Sequence, residues 1–260
     1  MKLAVVTGAA QGLGLCTSAL LAKRGFRLLL VDRHDPGAAL VRLRAEGAVA
    51  EGLCGDVASE AFAAELAGRV AAIGGAAEVL VNNAGVSLIC PAESTTAADW
   101  QRVMSVNLFG PFLLSKALGA QMLERRRGSI VNVASIAGLA GVSHRSAYNA
   151  SKHGLIGLTR TLAAEWGARG VRVNAVCPGW IKTEMDVKDQ GSGAYSDTDI
   201  TNRVPMARFA RPDDVAEAIA FLADAERSAF VNGVSLPVDG GWTADASWEN
   251  LRLKTRPEAG

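Results

Sequence analysis

The chain is expected to fold as an α/β protein: a doubly wound, parallel, seven-stranded sheet held between two layers of helices as a three-layer sandwich. Three observations carry that expectation. Short apolar, β-branched runs alternate with helical periodicities from one end to the other. A glycine-rich turn separates the first such run from the first helix. The second run, residues 27–32, is apolar almost throughout, as a parallel strand covered on both faces must be.

The elements follow in order. Residues 3–7 read as the first strand, and 12–24 as a helix with Leu13, Cys16, Leu20 and Leu21 on one face, stopped by Gly25. Strand 27–32 precedes helix 36–46, and a weaker strand at 49–54 precedes helix 59–73, where Phe62, Leu66, Val70 and Ile73 recur at helical spacing. The fourth strand is 79–82. Residues 100–127 form a long helical pattern interrupted at Gly110-Pro111; the missing proline donor predicts either two consecutive helices or one kinked helix. Strand 129–134, helix 147–168 and strand 171–176 come next. Helix 212–223 has proline in its first turn and Asp213 and Asp214 near its positive end, and strand 234–238 closes the pattern.

No linker, repeat or low-complexity tract divides the chain, so residues 1–260 read as a single domain. Two segments stand apart. Residues 186–210 are polar and acidic with weak periodicity, which suits a substrate lid. Residues 243–260 form a polar C-terminal tail, either frayed or docked on a neighbouring subunit.

Composition bounds the function. Of 260 residues, 49% are apolar and 20% charged, and 27 Lys plus Arg against 26 Asp plus Glu give a formal charge of +1. That balance argues against nucleic acid as a partner. No run approaches the roughly 18 uninterrupted apolar residues of a membrane span. Cys16, Cys54, Cys90 and Cys177 lack metal-like or disulfide-framework spacing, which suits a reduced, cytoplasmic setting. His34, His144 and His153 do not cluster, so no metal site is expected.

The glycine turn carries the first chemistry. Gly8, Gln11, Gly12, Leu13 and Gly14 join strand to helix in a G-x-x-x-G-x-G spacing, where glycines let the backbone approach a diphosphate at the helix's positive end. Asp32 ends the second strand, 18 residues after Gly14, where a carboxylate can accept hydrogen bonds from the adenosine ribose hydroxyls. A carboxylate there favours NAD and repels the 2′-phosphate of NADP, although the guanidinium of Arg33 beside it could pair with that phosphate.

Tyr148, one of only two tyrosines, lies four residues before Lys152 near the start of a predicted helix, so phenol and ammonium share a face. A nearby cation favours the phenolate and makes the tyrosine a general base for alcohol oxidation or a general acid for ketone reduction. Ser135 follows the fifth strand at the carboxyl edge of the sheet, where its hydroxyl could hold a substrate oxygen beside Tyr148. Trp180, Met185 and Tyr195 on or near the lid, with Ala137, Gly138, Leu139 and Val142, suggest a partly apolar substrate pocket.

Taken together, these residues resemble those of the short-chain dehydrogenase/reductase superfamily, in its single-domain branch with a Rossmann fold. The resemblance extends to about Trp242. It includes Asp56-Val57, which by resemblance contact the adenine, and Asn82-Asn83-Ala84-Gly85, which flanks the cofactor and stabilises the sheet. It also takes in Pro178-Gly179-Trp180-Ile181-Lys182-Thr183, where Ile181 and Thr183 would meet the carboxamide and diphosphate.

The resemblance implies Tyr148 as acid/base, Lys152 binding the nicotinamide ribose and lowering the Tyr148 pKa, and Ser135 polarising the substrate oxygen. Asn107 would complete the proton relay, its backbone carbonyl holding a water linked to Lys152. The implied activity is interconversion of a secondary alcohol and a ketone by hydride transfer with NAD, in a homotetramer built through helices 108–127 and 147–168 and the last strand. Alternatives are an NADP-dependent 3-oxoacyl thioester reductase, a sugar or polyol dehydrogenase, and a non-catalytic nucleotide-sensing Rossmann protein.

Overall fold

In the computed structural model, which describes residues 1–183, 187, 189–191, 193 and 195–254, seven parallel strands form one sheet. They are β1 (Leu3–Thr7), β2 (Arg27–Asp32), β3 (Ala50–Cys54), β4 (Val79–Asn82), β5 (Gly128–Val133), β6 (Val171–Pro178) and β7 (Ser235–Val238). Their order is β3-β2-β1-β4-β5-β6-β7, so the winding reverses between β1 and β4 and opens a crevice at the carboxyl ends of those strands. Successive side chains of a strand point to opposite faces, and each face has its own core. Ala4, Val6, Leu28 and Leu30 pack with α1 (Gly12–Lys23), α2 (Gly37–Ala45) and α8 (Pro212–Ala223). Leu3, Val5, Leu29 and Val31 pack with α3 (Glu60–Gly74), α5 (Gly110–Glu124) and α6 (Ser146–Trp166).

The Gly110-Pro111 interruption neither ends nor sharply divides the helix. Helix α4 (Ala97–Met104) runs through a π-helical turn, Ser105–Phe109, directly into α5. The widened turn accommodates the proline ring, and Pro111 has no N–H to give the carbonyl of Asn107, four residues earlier. The 28 residues Ala97–Glu124 are long and apolar enough to cross a bilayer by length and composition, although polar residues interrupt their apolar runs. Half of their most apolar 18-residue window is nonetheless buried inside the protein, and Leu114, Leu118 and Met122 belong to the core.

The segment expected to be a lid carries regular structure of its own, helix α7 (Asp197–Arg203). Ser196 and Asp199 cap it reciprocally: the Ser196 hydroxyl accepts from the Asp199 N–H, and the Asp199 carboxylate accepts from the Ser196 N–H at 2.8 Å. The tail, as far as residue 254, docks on this same helix rather than standing free. Helix α9 (Glu249–Leu253) sets the Arg252 Nε against the Asn202 carbonyl at 2.9 Å, while Arg203 reaches the Asp245 carbonyl at 2.9 Å and lies over the Trp242 ring. Residues 255–260 lie outside the described residues, as does Met185 of the expected pocket.

Candidate active site

A groove of about 650 Å³ crosses the carboxyl edge of the sheet from Asp32 to Tyr195. All eighteen residues expected to bind a dinucleotide line it. Gly8, Gln11, Gly12, Leu13 and Gly14 form its glycine wall, and Asp32, Arg33, Asp56 and Val57 form one end. Asn83, Ala84 and Gly85 stand at the middle, and Tyr148, Lys152, Pro178, Gly179, Ile181 and Thr183 at the other end.

The glycine wall is rigid for identifiable reasons. Gly8 and Gly12 have φ of 63° and 54°, the left-handed region that L side chains rarely adopt. The Asn83 amide donates to the carbonyls of Thr7 (2.8 Å) and Gly8 (3.1 Å), while the Thr7 hydroxyl accepts from the N–H groups of Asn83 (3.0 Å) and Ala84 (2.9 Å). The Asp32 carboxylate accepts from the N–H groups of Ala10 and His34, both at 3.0 Å, which ties β2 to the turn. Each carboxylate oxygen has further acceptor capacity for a ribose hydroxyl.

The N-terminus of α1 fits a diphosphate. Gln11 makes no side-chain cap and the first turn holds no acid, so its N–H groups and positive dipole end face the groove without a competing anion from this helix.

At the other end stand the catalytic candidates. Ser135 leaves β5 in an extended conformation, its oxygen accepting from the Ala137 N–H at 3.1 Å, and lines the same end of the groove as Tyr148. Lys152 is buried, with its Nζ donating to the Val133 carbonyl at 2.8 Å and lying 5.6 Å from the Tyr148 ring centroid. Burial pushes this ammonium down to about 8.

Asn107 lies behind the groove, not in its wall. Its side chain accepts from the Val86 N–H (2.8 Å) and donates to the Val86 carbonyl (3.0 Å) and the Ser151 hydroxyl (3.2 Å). These bonds hold α6 against the π-helical turn.

Burial raises the Tyr148 pKa above its ordinary value, opposed by the Ser135 hydroxyl and by the guanidinium of Arg145, which joins Lys152 beside the ring at 5.9 Å against 5.6 Å from its centroid. Arg145 was not foreseen in this role. It lies three residues before Tyr148 but caps the helix from outside it, so helical spacing gave no signal for it. Its partners Ser87 and Asp189 come from distant parts of the chain and had no sequence signal. Of the expected apolar pocket, Trp180, Tyr195, Ala137 and Val142 line the groove, with the Trp180 and Tyr195 rings 4.8 Å apart. Gly138 is buried under α6 and Leu139 points to solvent, so neither contributes to the wall.

Comparison with known proteins bears on this arrangement. Residues 8–243 match the profile of a family described as enoyl-(acyl carrier protein) reductase. The D-threitol dehydrogenase of Mycolicibacterium smegmatis is 41% identical over 244 residues, covering 93% of each chain. The 2-(S)-hydroxypropyl-CoM dehydrogenase 3 of Xanthobacter autotrophicus is 40% identical over 246 residues, covering 92% of this chain and 95% of that one. Among solved structures, a protein provisionally assigned as an NAD(P)-dependent gluconate 5-dehydrogenase from Beutenbergia cavernae, with NADP bound at low occupancy, superposes with a TM-score of 0.89. It is 38% identical and covers 94% of this chain and 97% of its own. With the parallel sheet, the glycine wall and the Ser135, Tyr148 and Lys152 side chains in one groove, the chain belongs to the short-chain dehydrogenase/reductase family and is a nicotinamide-dependent oxidoreductase that interconverts alcohols and ketones.

Proposed function

We propose that the protein oxidises a secondary alcohol to a ketone, and runs the reverse reduction, with Tyr148 as the acid/base and NAD as the preferred cofactor. The observation that carries this reading is the meeting of Ser135, Tyr148 and Lys152 at one end of the groove, with the Lys152 Nζ 5.6 Å from the Tyr148 ring centroid. A nicotinamide held beside Tyr148, Lys152, Ile181 and Thr183 would supply the two-electron hydride acceptor for the carbinol carbon, and in reduced form the hydride donor for the ketone.

Every other requirement falls on the chain. The Ser135 hydroxyl orients the substrate oxygen, and Tyr148 takes the hydroxyl proton in oxidation and gives one back in reduction. Lys152 holds a positive charge beside the ribose site and the phenol, and Asn107 fixes α6, which carries both. The carbonyl of Asn107, to which Pro111 can donate no N–H, would hold a proton-relaying water. The carboxylate of Asp32 at one end of the groove supports NAD, since it would repel a 2′-phosphate bound there. Arg33 at the same end of the groove supports the second reading, NADP. Residues 186–210 serve as the lid, and the assembly is a homotetramer in the cytoplasm.

Tyr148→Phe tests the central step. It is expected to lower kcat by about 10²- to 10⁴-fold while NADH fluorescence titration gives nearly the same dissociation constant. Unchanged turnover on any alcohol or ketone substrate would end the acid/base assignment.

A further inference from the structure

Arg145 is a charged side chain built into the substrate end of the groove, outside the catalytic set. It is only 9% exposed. Its backbone is fixed on both sides: Cys90 donates to the His144 carbonyl at 2.7 Å and bridges to Arg145, and His144 itself is held at a φ of 60°. A non-glycine residue persists in that region only where its surroundings over-determine it, and such residues gather at ligand sites. The guanidinium lies 5.9 Å from the Tyr148 ring centroid and 5.5 Å from that of Trp180.

Its two terminal nitrogens are committed in a closed triangle. Nη1 donates to the Ser87 hydroxyl at 2.9 Å and Nη2 to Asp189 Oδ2 at 3.0 Å, and the Ser87 hydroxyl donates to that same Oδ2 at 2.9 Å. Desolvating an arginine and an aspartate opposes folding, and apolar side chains of similar volume would support the Tyr148 and Trp180 rings without that cost. Arg145 and Asp189 both line the groove, so the pair is available to a ligand.

We infer that Arg145, neutralised by Asp189 and braced by Ser87, is a specificity-determining residue. It reads a second hydroxyl close to the reacting carbinol and selects uncharged vicinal diols and polyols over hydroxycarboxylates and hydroxysulfonates. The inference rests on the alcohol-oxidising reading above. A hydroxyl both accepts and donates, so it can accept from the guanidinium while donating to the carboxylate. An anionic group could accept from Arg145 but would meet the Asp189 carboxylate 3.0 Å from the same guanidinium, in a pair whose charges already cancel. A simple alcohol would displace water from this polar wall and return no hydrogen bond, the penalty that lets polar sites reject analogues lacking a hydroxyl.

The test compares kcat/KM of the full-length protein, with NAD, for 2,3-butanediol, 2-butanol and 3-hydroxybutyrate. The wild-type protein is expected to favour the diol over each of the others by about tenfold or more. Asp189→Asn, which leaves Arg145 an uncompensated cation, is expected to raise 3-hydroxybutyrate relative to the diol by about tenfold. Arg145→Leu is expected to bring diol and simple alcohol within about threefold of each other. These are ratios within one protein, so a general loss of activity cancels. If Arg145→Leu does not fold, the wild-type and Asp189→Asn ratios still decide. Equal efficiency on all three substrates, or ratios unmoved by Asp189→Asn, overturns the specificity assignment and leaves the alcohol oxidation standing. Failure of the wild-type protein to turn over any secondary alcohol or ketone overturns both.

Discussion

Lys152 shows how a single residue can work against the fold. Burial lowers its pKa from 10.5 to about 8, so below pH 8 the native protein carries an ammonium that its surroundings disfavour. Between pH 8 and 10.5 the folded protein releases this proton while the unfolded chain retains it, so this contribution to stability rises with pH across that window. Compared with Lys152→Met, the wild-type protein should therefore gain roughly 3 kcal/mol between pH 7 and 10.5, measured by guanidinium denaturation of both at each pH. A constant difference would mean that Lys152 titrates normally. Asp32 acts at the other end of the groove: Asp32→Ala is expected to raise the NADP-to-NAD ratio of kcat/KM by about tenfold or more, by removing a like charge facing the phosphate. Steady-state rates with both cofactors check it, and an unmoved ratio would shift the choice to other residues.

At the scale of elements, the strand-turn-helix unit β1–α1 and the continuous helix α4–α5 decide the site. Gly14 has an ordinary φ but no room, since a Cβ there would lie 2.0 Å from the Gly8 carbonyl oxygen and 2.6 Å from the Asn83 amide nitrogen. Gly14→Ala must therefore push α1 away from the turn. The expected result is loss of NADH binding by fluorescence titration together with destabilisation of about 2 kcal/mol or more in denaturant. Retained binding would mean that the diphosphate is held elsewhere. In α4–α5 the proline that looked like a helix breaker instead accompanies a π-helical turn, and the turn carries Asn107 to the underside of α6. Periodicity could not show this, because a π-helical turn shifts the register within a pattern that still reads as helix.

For the molecule as a whole, the proposed tetramer would cover the exposed apolar side chains of α5 and the turn before it. Phe109 and Phe112 are 41% and 40% exposed, with their rings 6.2 Å apart on the outer side of the helix whose inner side packs on the sheet. Mass measurement in solution should give four copies for the wild-type chain and fewer for Phe112→Glu; a monomeric wild-type protein would refute the assembly. The lid helix and the tail form one polar assembly through Arg203, Asp245 and Arg252, so a change in either should move the other.

The sequence by itself determined the alternation of strands and helices, the glycine turn with Asp32, and the Ser135, Tyr148 and Lys152 set. These depend on local periodicity, on backbone freedom and on the i, i+4 geometry of one helix, all of which are written in neighbouring residues. Several strand limits matched residue for residue, as at Leu3–Thr7 and Val79–Asn82, because apolar runs end abruptly at glycines and polar residues. Only the tertiary structure decided the rest: that Arg145 joins Lys152 beside the Tyr148 ring, where the tail docks, and that Ser87, Arg145 and Asp189 meet. Residues as far apart as 87 and 189 are joined by the crossing of separate loops over the sheet edge, and no local pattern encodes a contact that only the folded backbone creates.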